Sequence, residues 1–481
     1  MRPLRRKWCS PSCRINRSII SGCVFSPTGP LDRDYDDVRR FSDAANAGME
    51  RALKAGCKSP MLVCPQNASF KHSQLVAVLG ALHAVYVPLE AREADAEKQK
   101  KIDKLGIWQR GKNERVMKLA KALEGGRSVA RDIGGSDPER MAAQNVATFV
   151  SDLFNDQNSG VSVKVISDEA TLEKEYPLHA AVNRCAKHVD RHKGCIIELE
   201  YNGDGEPDVT LLIVGKGVTM DTGGVDIKVS GNMRSMHRDK CGAAAVAGFF
   251  QILSALKPPN IKVLGTMTMV RNSVGSDAYV PDEIIKARAG VRVRIGNTDA
   301  EGRMAMADPL CKMKELALKE KNPHIYTIAT LTGHAVSTVG PSYSIVMDNG
   351  PARNAKHATG LAKAGGDYAD PIEVSTIRRE DYEYNKGTTQ YEDMIQMGLN
   401  ASASSSRGHQ LAAAFLLMVS GLDKHGNDAD NPLRFSHLDI AGSAGPYPGI
   451  PTAAPIVALA AQYVLPRIKP PKEDEKQEKQ E

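Results

Sequence analysis

The N-terminal third of the chain alternates between amphipathic stretches and one short apolar run. Residues 36–55 and 73–85 have the apolar spacing of helices. Between them, the apolar run at residues 60–64 predicts a short buried strand. The next stretch, residues 92–124, is dense in Lys and Glu and predicts helical pieces that end at Gly125 and Gly126.

From residue 196 onward the apolar pattern is stronger and more regular. Five apolar runs predict strands, at residues 209–214, 263–270, 291–295, 325–331 and 435–440. Two long stretches without strong breakers predict helices between the strands, at residues 241–256 and 304–319, and Pro309 predicts a kink in the second. Strands that alternate with helices in this way predict a mostly parallel sheet with helices on both faces.

The chain is 481 residues long, which is too long for a single comfortable core. We therefore expect an α/β protein with a smaller N-terminal α/β domain and a larger catalytic α/β domain around a mostly parallel central sheet. The predicted parts are a disordered leader (1–30), an N-terminal domain (31–125), a linker helix region (126–150), a catalytic domain (151–466) and a disordered charged tail (467–481).

The net charge of +6 comes from the first residues of the chain, since six Arg and Lys residues precede the first acid, Asp32. No basic face interleaved with aromatic residues follows, so nucleic acid is not an expected partner. An Arg-rich, acid-free start is typical of mitochondrial transit peptides, which leaves that organelle as the alternative to the expected cytoplasmic location. No apolar run is long enough to span a membrane.

Carboxylates follow two of the predicted strands. Asp221 comes shortly after the strand at 209–214, and Asp299 and Glu301 come shortly after the strand at 291–295. A single carboxylate at such a place is commonly a helix cap or a surface charge. Two carboxylates two residues apart leave the same side of an extended loop, however, and can share a cation. Several hard oxygen ligands together suit two divalent ions.

The glycine-rich segment around Lys216 could instead cradle a phosphate group. Its spacing fits neither a P-loop nor a dinucleotide-binding loop, because no Ser or Thr follows Lys216 and G-x-G-x-x-G is absent. The helical zinc-peptidase motif H-E-x-x-H and the serine-hydrolase motif G-x-S-x-G are absent too. The remaining chemistry is a metal site built from loops.

Several motifs resemble those of the leucyl aminopeptidase (cytosol aminopeptidase) family. Residues 214–224, followed by Lys228 and Asp239 at fixed intervals, resemble the metal-site segment of that family, and N-T-D-A-E-G-R at residues 297–303 is identical to its signature. Residues 329–333 and 437–442 agree as well, so the resemblance covers about residues 125–465.

The resemblance implies that this chain is a leucyl-type aminopeptidase, a hydrolase and exopeptidase with two divalent metal ions per subunit, Zn²⁺, Mn²⁺ or Mg²⁺. A water molecule that bridges the two ions attacks the carbonyl of the N-terminal peptide bond. The implied metal ligands are Lys216, Asp221, Asp239, Asp299 and Glu301.

Further residues take roles from the same resemblance. Lys228 corresponds to the lysine that polarises the scissile carbonyl, and Arg303 corresponds to the arginine that holds a bicarbonate ion as general base. The implied substrate-binding residues are Met236, Thr330, Leu331 and Gly333. The implied partners are peptides with a free N-terminus and copies of the chain itself, in a hexamer.

Three positions depart from the family pattern. Lys240 follows Asp239 where an apolar residue is usual, Val229 replaces a small residue or proline, and Ala444 occupies a pocket position often held by methionine. A smaller side chain at position 444 is expected to enlarge the pocket, so a preference for leucine does not follow. Two alternatives to an active peptidase are a family member without turnover, which acts as a structural or binding protein, and a nucleotide-binding protein.

Overall fold

The structure of the protein is a computed structural model that describes residues 14–15, 18–19, 22–108, 114–398 and 405–468. Most of the predicted leader and nearly all of the predicted tail lie outside these residues. The strands are β1 (Arg14–Ile15), β2 (Ser18–Ile19), β3 (Met61–Val63), β4 (Gly106–Trp108), β5 (Val161–Ile166), β6 (Cys195–Asn202), β7 (Val209–Asp221), β8 (Ile261–Asn272), β9 (Ile284–Lys286), β10 (Arg292–Arg294), β11 (Pro323–Ala329), β12 (Ser344–Asp348), β13 (Ile372–Thr376), β14 (Met394–Ile395) and β15 (Arg434–Asp439).

The helices are α1 (Arg39–Lys54), α2 (Ser73–Val85), α3 (Leu89–Ala94), α4 (Glu114–Gly135), α5 (Ala143–Leu153), α6 (Glu169–Glu175), α7 (Pro177–Asn183), α8 (Cys241–Leu256), α9 (Glu301–Ala317), α10 (Gly333–Val339), α11 (Gly350–Asn354), α12 (His357–Asp367), α13 (Arg379–Tyr384), α14 (Gly408–Ser420) and α15 (Ile456–Tyr463). Short 3₁₀ turns lie between several of them, of which Met236–Arg238 and Thr298–Ala300 matter for the site. None of the helices in the described ranges is long and apolar enough to cross a membrane.

Within the described ranges, eight strands form the central sheet in the order β13-β12-β15-β11-β7-β8-β6-β5. The pairs β13-β12, β15-β11, β11-β7 and β7-β8 are parallel, and the other three pairs are antiparallel. The sheet is thus parallel through its middle and antiparallel towards the β5 edge. This confirms the predicted α/β class with a mainly parallel central sheet and helices around it.

The middle of the sheet is apolar on both faces, which is why its strands have continuous hydrophobic runs rather than alternating ones. Along β7, residues 209–214 are all buried. Helix α8 covers one face of this strand and is buried along most of its length. Helix α9 also packs against β7.

One predicted strand does not belong to the central sheet. Strand β10, predicted at residues 291–295 as a member of the main strand series, pairs instead with β9 and β14 in a separate three-stranded sheet. Strand β14 lies about a hundred residues further along the chain, so local sequence contains no sign of this partner.

Helix α4 does not end at Gly125 and Gly126, as the glycines predict, but continues to Gly135. A Cβ atom on Gly126 would lie 2.4 Å from the carbonyl oxygen of Gly248 on α8. A Cβ on Gly248 would in turn lie 2.5 Å from the carbonyl oxygen of Gly126. The two glycines therefore let the backbones of α4 and α8 touch, and Gly126 is a packing position rather than a helix end.

The N-terminal part is built on α1 and α2, whose apolar sides face each other. Helix α2 has the predicted bounds of 73–85. Strand β3 pairs in parallel with β4, and its Met61 and Val63 are 54% and 55% exposed. The prediction that this strand is buried is wrong, because a two-stranded sheet leaves one face uncovered.

Candidate metal centre

Lys216 and Asp221 lie on strand β7 itself, not in a loop after it. The strand continues through residue 221, with a bulge between Val218 and Asp221 against β8. Strand β11 pairs with β7 only as far as Gly215, whereas β8 pairs with it at Lys216 and again at Asp221, so β8 is the strand that restrains the backbone at both residues. Lys216 and Asp221 are 3% exposed each, and the sheet delivers both side chains to the same acidic cluster.

Asp299 and Glu301 come from the short segment between β10 and α9. The predicted extended loop is instead a 3₁₀ turn, Thr298–Ala300, whose start is capped by Asn297, and Glu301 is the first residue of α9. The second residue of α9, Gly302, leaves room for Lys216, since a Cβ atom on Gly302 would lie 2.3 Å from Cε of that lysine. The helix start and the lysine on β7 can therefore approach closely.

Three carboxylates meet in one buried cluster. Oxygen atoms of Asp221, Asp239 and Glu301 all lie within 4.8 Å of one another. Nζ of Lys216 lies 2.7 Å from Oδ2 of Asp239 and 2.9 Å from Oε1 of Glu301. Four of the five predicted ligands thus lie in one cluster, and they come from three separate parts of the sequence.

The fifth predicted ligand, Asp299, is joined to this cluster through Lys228. Nζ of Lys228 lies 2.8 Å from Oδ2 of Asp221 and also contacts the Asp299 carboxylate. The side chain of Asp299 is 34% exposed, whereas that of Asp221 is 4% exposed. Asp299 therefore lies at the open side of the cluster.

The electrostatics of the cluster favour a cation. Burial, together with the nearby charge of Glu301, raises the pKa of Asp221 to about 7. Burial also raises the pKa of Asp239 well above its ordinary value. Around Lys216, burial opposes the charged form, but Asp239, Glu301 and Asp221 outweigh it and raise the pKa of the amine. Carboxylates this close resist ionising together unless positive charge lies between them.

Asn272, at the end of β8, is a residue of the site that the sequence reasoning missed. Its Nδ2 donates to Oδ1 of Asp221 at 2.8 Å and to the carbonyl oxygen of Thr298 at 3.1 Å. It therefore fixes one carboxylate of the cluster against the Thr298–Ala300 turn. Asn272 lies two residues after the predicted strand at 263–270, so the search for polar residues after strands that found Asp221 could have found it as well.

Asp226 joins the loop that carries Lys228 to the turn that carries Asp299. Its Oδ2 accepts hydrogen bonds from the main-chain N–H of Thr298 at 2.7 Å and from the Thr298 hydroxyl at 3.1 Å. The same hydroxyl also donates to the carbonyl of Gly223 at 2.6 Å. These bonds fix the position of the two loops relative to each other.

Arg303 is buried on α9, two residues after Glu301. Its Nη1 donates to the main-chain carbonyl of Gln396 at 3.0 Å, and its Cζ lies 5.7 Å from the centre of the Phe415 ring. Within the described residues its Nε has no hydrogen-bond partner. Burial lowers the pKa of Arg303 to about 10. A buried guanidinium with a free donor suits a small anion.

The predicted substrate-binding residues lie on two segments, one that follows β11 and one that precedes Asp239. Thr330 follows β11, accepts a hydrogen bond from Nζ of Lys216 at 3.1 Å through its carbonyl, and donates through its hydroxyl to Oδ1 of Asp239 at 2.8 Å. Leu331 and Gly333 come next along the chain, and Met236 lies three residues before Asp239 in a 3₁₀ turn.

The segment after β11 is held by Asp439, another residue that the sequence reasoning did not assign. This buried carboxylate ends β15 and accepts hydrogen bonds from the main-chain N–H of Leu331 at 3.2 Å and from the hydroxyl of Thr332 at 2.7 Å. It also accepts the main-chain N–H of Ala441 at 3.1 Å. Asp439 thus ties two segments that border the cluster.

The comparison with known proteins agrees with this geometry. Residues 128–459 match the catalytic domain of the cytosol aminopeptidase family. The chain is 45% identical over 460 residues, 95% of its own length and 87% of the other, to a Caenorhabditis elegans protein provisionally named an aminopeptidase. It is 33% identical over 296 residues, 60% of its own length and 57% of the other, to a Persephonella marina protein provisionally named a cytosol aminopeptidase.

Among solved structures, the fold resembles that of the bottromycin maturation enzyme BotP, whose structure was solved in complex with Mn. The TM-score is 0.74 at 21% sequence identity, over 91% of this chain and 89% of the other. That likeness concerns the fold. The family match spans more than half of the sequence and includes every predicted site residue. The chain belongs to the cytosol aminopeptidase family, whose members are metal-dependent aminopeptidases.

Proposed function

We propose that this protein binds two divalent cations at the acidic cluster and hydrolyses the N-terminal bond of peptides with a free amino group. The observation that supports the proposal best is the buried group of Asp221, Asp239 and Glu301, whose oxygens lie within 4.8 Å of one another. In the proposal, Asp299 completes the ligand set together with the amine of Lys216, which must give up its proton to bind a cation. All five residues are present at the spacing that the family motif requires.

The donor set fits divalent cations. Carboxylate oxygens in a buried cluster are hard ligands that two-metal hydrolases use, and the cluster has more acid groups than it can keep ionised without added positive charge. Mn²⁺, Zn²⁺ and Mg²⁺ are the candidates that we propose. When bound, such a pair polarises a carbonyl group and makes a water molecule acidic enough to attack it near neutral pH.

The chain's own residues then position the peptide and stabilise charge. The Lys228 ammonium lies beside Asp221 and Asp299 and is 14% exposed, so it can reach a carbonyl oxygen at the open side of the cluster. We propose that it donates a hydrogen bond to the negative charge that develops there. The main-chain N–H of Lys228 donates to the carbonyl of Thr222 at 2.8 Å, which keeps this residue close to the end of β7.

Arg303 has the features of an anion site, and bicarbonate is the anion that we propose. The buried guanidinium has a donor without a partner among the described residues, and only the Gln396 carbonyl is within its hydrogen-bonding reach there. A bicarbonate held at that donor could accept the proton of the attacking water. This general base would take the place of a protein carboxylate.

The main-chain groups after β11 are proposed to align the substrate, with Thr330, Leu331 and Gly333 along the peptide and Met236 beside its first side chain. Asp439 supports this arrangement, since it fixes Leu331 and Thr332 with two hydrogen bonds. A hexameric assembly and a cytoplasmic location complete the proposal, and a mitochondrial location is the alternative.

The direct test measures bound metal by plasma mass spectrometry and activity on a panel of aminoacyl arylamides in Mn²⁺ or Zn²⁺. We expect about two ions per chain and release of the arylamine from substrates with a free amine, but not from N-acetylated ones. E301Q should lose metal and at least about a hundredfold in kcat. E315Q, on the same helix but away from the cluster, is the control.

Two results would count against the proposal. Full activity in E301Q contradicts the assigned ligands. Bound metal without turnover of any aminoacyl substrate instead indicates a family member that binds metal but does not act as a peptidase.

A further inference from the structure

The segment that follows Ala444 is unusually poor in main-chain donors. Three of the seven residues at 445–451 are proline, at positions 446, 448 and 451, and proline has no N–H group. The main-chain N–H of Thr452 closes the base of this turn by donating to the carbonyl of Ala444 at 3.1 Å, so the residues between them depend on side-chain donors from other segments.

Arg238 supplies those donors. Its Nη1 donates to the carbonyl oxygens of Pro446 at 2.5 Å and Gly445 at 3.3 Å, and its Nη2 donates to the carbonyl of Gly449. Its Cζ also lies 5.5 Å from the centre of the Tyr447 ring. The arginine is 8% exposed, and it has no ion pair with any carboxylate in the described part of the chain. One guanidinium group therefore holds both sides of the turn.

The segment that carries Arg238 is fixed independently of this turn. Nζ of Lys240 donates to the carbonyl of Ser136 at 2.9 Å and to the carbonyl of His237. The carbonyl of Asp239 accepts the main-chain N–H of Val218 on β7 at 3.2 Å. Loss of the Arg238 side chain would thus release residues 445–449, while Nε of Arg131 still donates to the carbonyl of Pro451 at 3.1 Å, and would leave the proposed metal ligand Asp239 in place.

The turn also borders the proposed peptide-binding segments. At its start, the main-chain N–H of Ala444 donates to the carbonyl of Ile440, the residue directly after Asp439. Asp439 binds Leu331 on the other side, and Arg238 is the neighbour of Asp239. In the proposed binding mode, with the first carbonyl of the peptide at the cluster, the first side chain would lie between the segments at 236–239, 330–333 and 441–449.

We propose that Arg238 is a positioning residue that determines substrate specificity, because it holds the turn at 444–449 as one wall of the pocket for the N-terminal side chain. This inference rests on the proposed peptidase function and extends it. Since Ala444 is small, the position of the turn backbone, rather than a bulky side chain, then sets the depth of the pocket. Arg238 acts through the turn and does not touch the reacting atoms.

The test compares R238M with R234M, which removes an exposed arginine from the same segment. Values of kcat/KM are measured for leucine and alanine arylamides, and hydrogen exchange of the peptide at 444–452 is measured by mass spectrometry. In R238M we expect faster exchange at 444–452, unchanged metal content and a leucine-to-alanine ratio that moves about tenfold towards one, the size of effect that a change in an apolar pocket produces. R234M should match the wild type.

R238K keeps the positive charge but replaces the two Nη groups with a single ammonium group. It should fall between the wild type and R238M in both hydrogen exchange and the leucine-to-alanine ratio. If R238M does not fold, the ratio in R238K decides. An equal loss on both substrates, an unchanged ratio, a wild-type ratio already near one, or exchange that does not change at 444–452 would overturn the inference. A wild-type protein inactive on every aminoacyl substrate would overturn the proposed function itself, whereas the results above concern only Arg238.

Discussion

Lys216 and Lys228 contact different carboxylates of the same cluster. Lys216 lies within 2.9 Å of Asp239 and Glu301, and Lys228 contacts Asp221 and Asp299. Lys216 is buried on the central strand, whereas Lys228 lies on the following loop at the more open side. The two lysines are therefore expected to differ in function, although both neutralise acid groups.

The first prediction separates these two lysines. K216M should lose bound metal, because it removes a proposed ligand from the buried side. K228M should retain its metal but lose about a hundredfold to a thousandfold in kcat, the usual effect of removing a group that stabilises developing negative charge. Metal analysis and steady-state kinetics on both variants provide the comparison. Loss of metal in both variants, or in neither, would contradict the separate roles.

A second prediction concerns Asp439. D439N replaces an acceptor for three donors with an amide that can accept at one oxygen only, so the segment after β11 loses support. We expect a free energy of unfolding lower by about 1–3 kcal/mol and a higher KM, with metal content unchanged. T332V removes one of the three donors and also the hydroxyl that accepts the main-chain N–H of Ala335 at the start of α10, so it should lower the free energy of unfolding as well but raise KM less than D439N. A normal KM in D439N would show that the segment does not align the substrate.

The third prediction uses neighbouring glycines on α4. G126A places a Cβ atom 2.4 Å from the carbonyl oxygen of Gly248 and 2.6 Å from Cγ1 of Ile252, so we expect a loss of about 1–3 kcal/mol in stability. G125A meets no atom within 4 Å and should stabilise the helix by about 0.5–1 kcal/mol. Chemical denaturation of both variants should thus give opposite signs. Equal shifts would mean that the close contact between α4 and α8 is absent.

The fourth prediction concerns pH and Asp308, a buried residue of α9. Burial raises its pKa to about 7, although its carboxylate accepts the main-chain N–H groups of Arg288 at 2.8 Å and Leu178 at 2.6 Å. The unfolded chain ionises this group near pH 4, so the folded state binds its proton more tightly. The contribution of Asp308 to stability is therefore largest at low pH and decreases as the pH rises from about 4 to about 7.

D308N removes this titration. The free energy of unfolding of the wild type minus that of D308N should decrease by up to about 1.4 kcal/mol per pH unit as pH rises to about 7, and stay constant above. Urea titrations at pH 5, 6, 7 and 8 measure the difference. A difference that is constant across this range would show that Asp308 titrates at its ordinary pKa.

Local sequence patterns were sufficient for much of the fold. Helices at 73–85 and 241–256 have the bounds that their apolar spacing predicts, since each is a long apolar stretch without breakers. Strand β7 was predicted too short because Gly215 and Gly217 resemble turn residues. In the structure, a Cβ atom on Gly215 would lie 2.6 Å from the carbonyl of Gly242 on α8, so this glycine serves packing within a strand.

The residues of the site likewise fall into those that local motifs predict and those that only the tertiary structure reveals. Short motifs indicated the five proposed ligands together with Lys228 and Arg303, because their spacing is local. Arg238 was not found, since its acceptors Gly445, Pro446 and Gly449 lie more than two hundred residues away. Asp439 was missed for a similar reason, because Leu331 is separated from it by 108 positions. Contacts of this kind arise only from tertiary structure.

Because Lys216 and Asp221 are part of β7, the proposed ligands belong to one of the last regions expected to open in the native state. Strands at the centre of a sheet exchange their amide hydrogens only through large or global unfolding, whereas loops open at little cost in free energy. Strand β7 has paired neighbours on both sides up to Gly215, and β8 continues the pairing to Asp221, so the spacing of these two ligands persists through local fluctuations. Thermal inactivation by loss of this geometry should therefore follow global unfolding, and the loop that carries Lys228 can still move as substrates enter and leave.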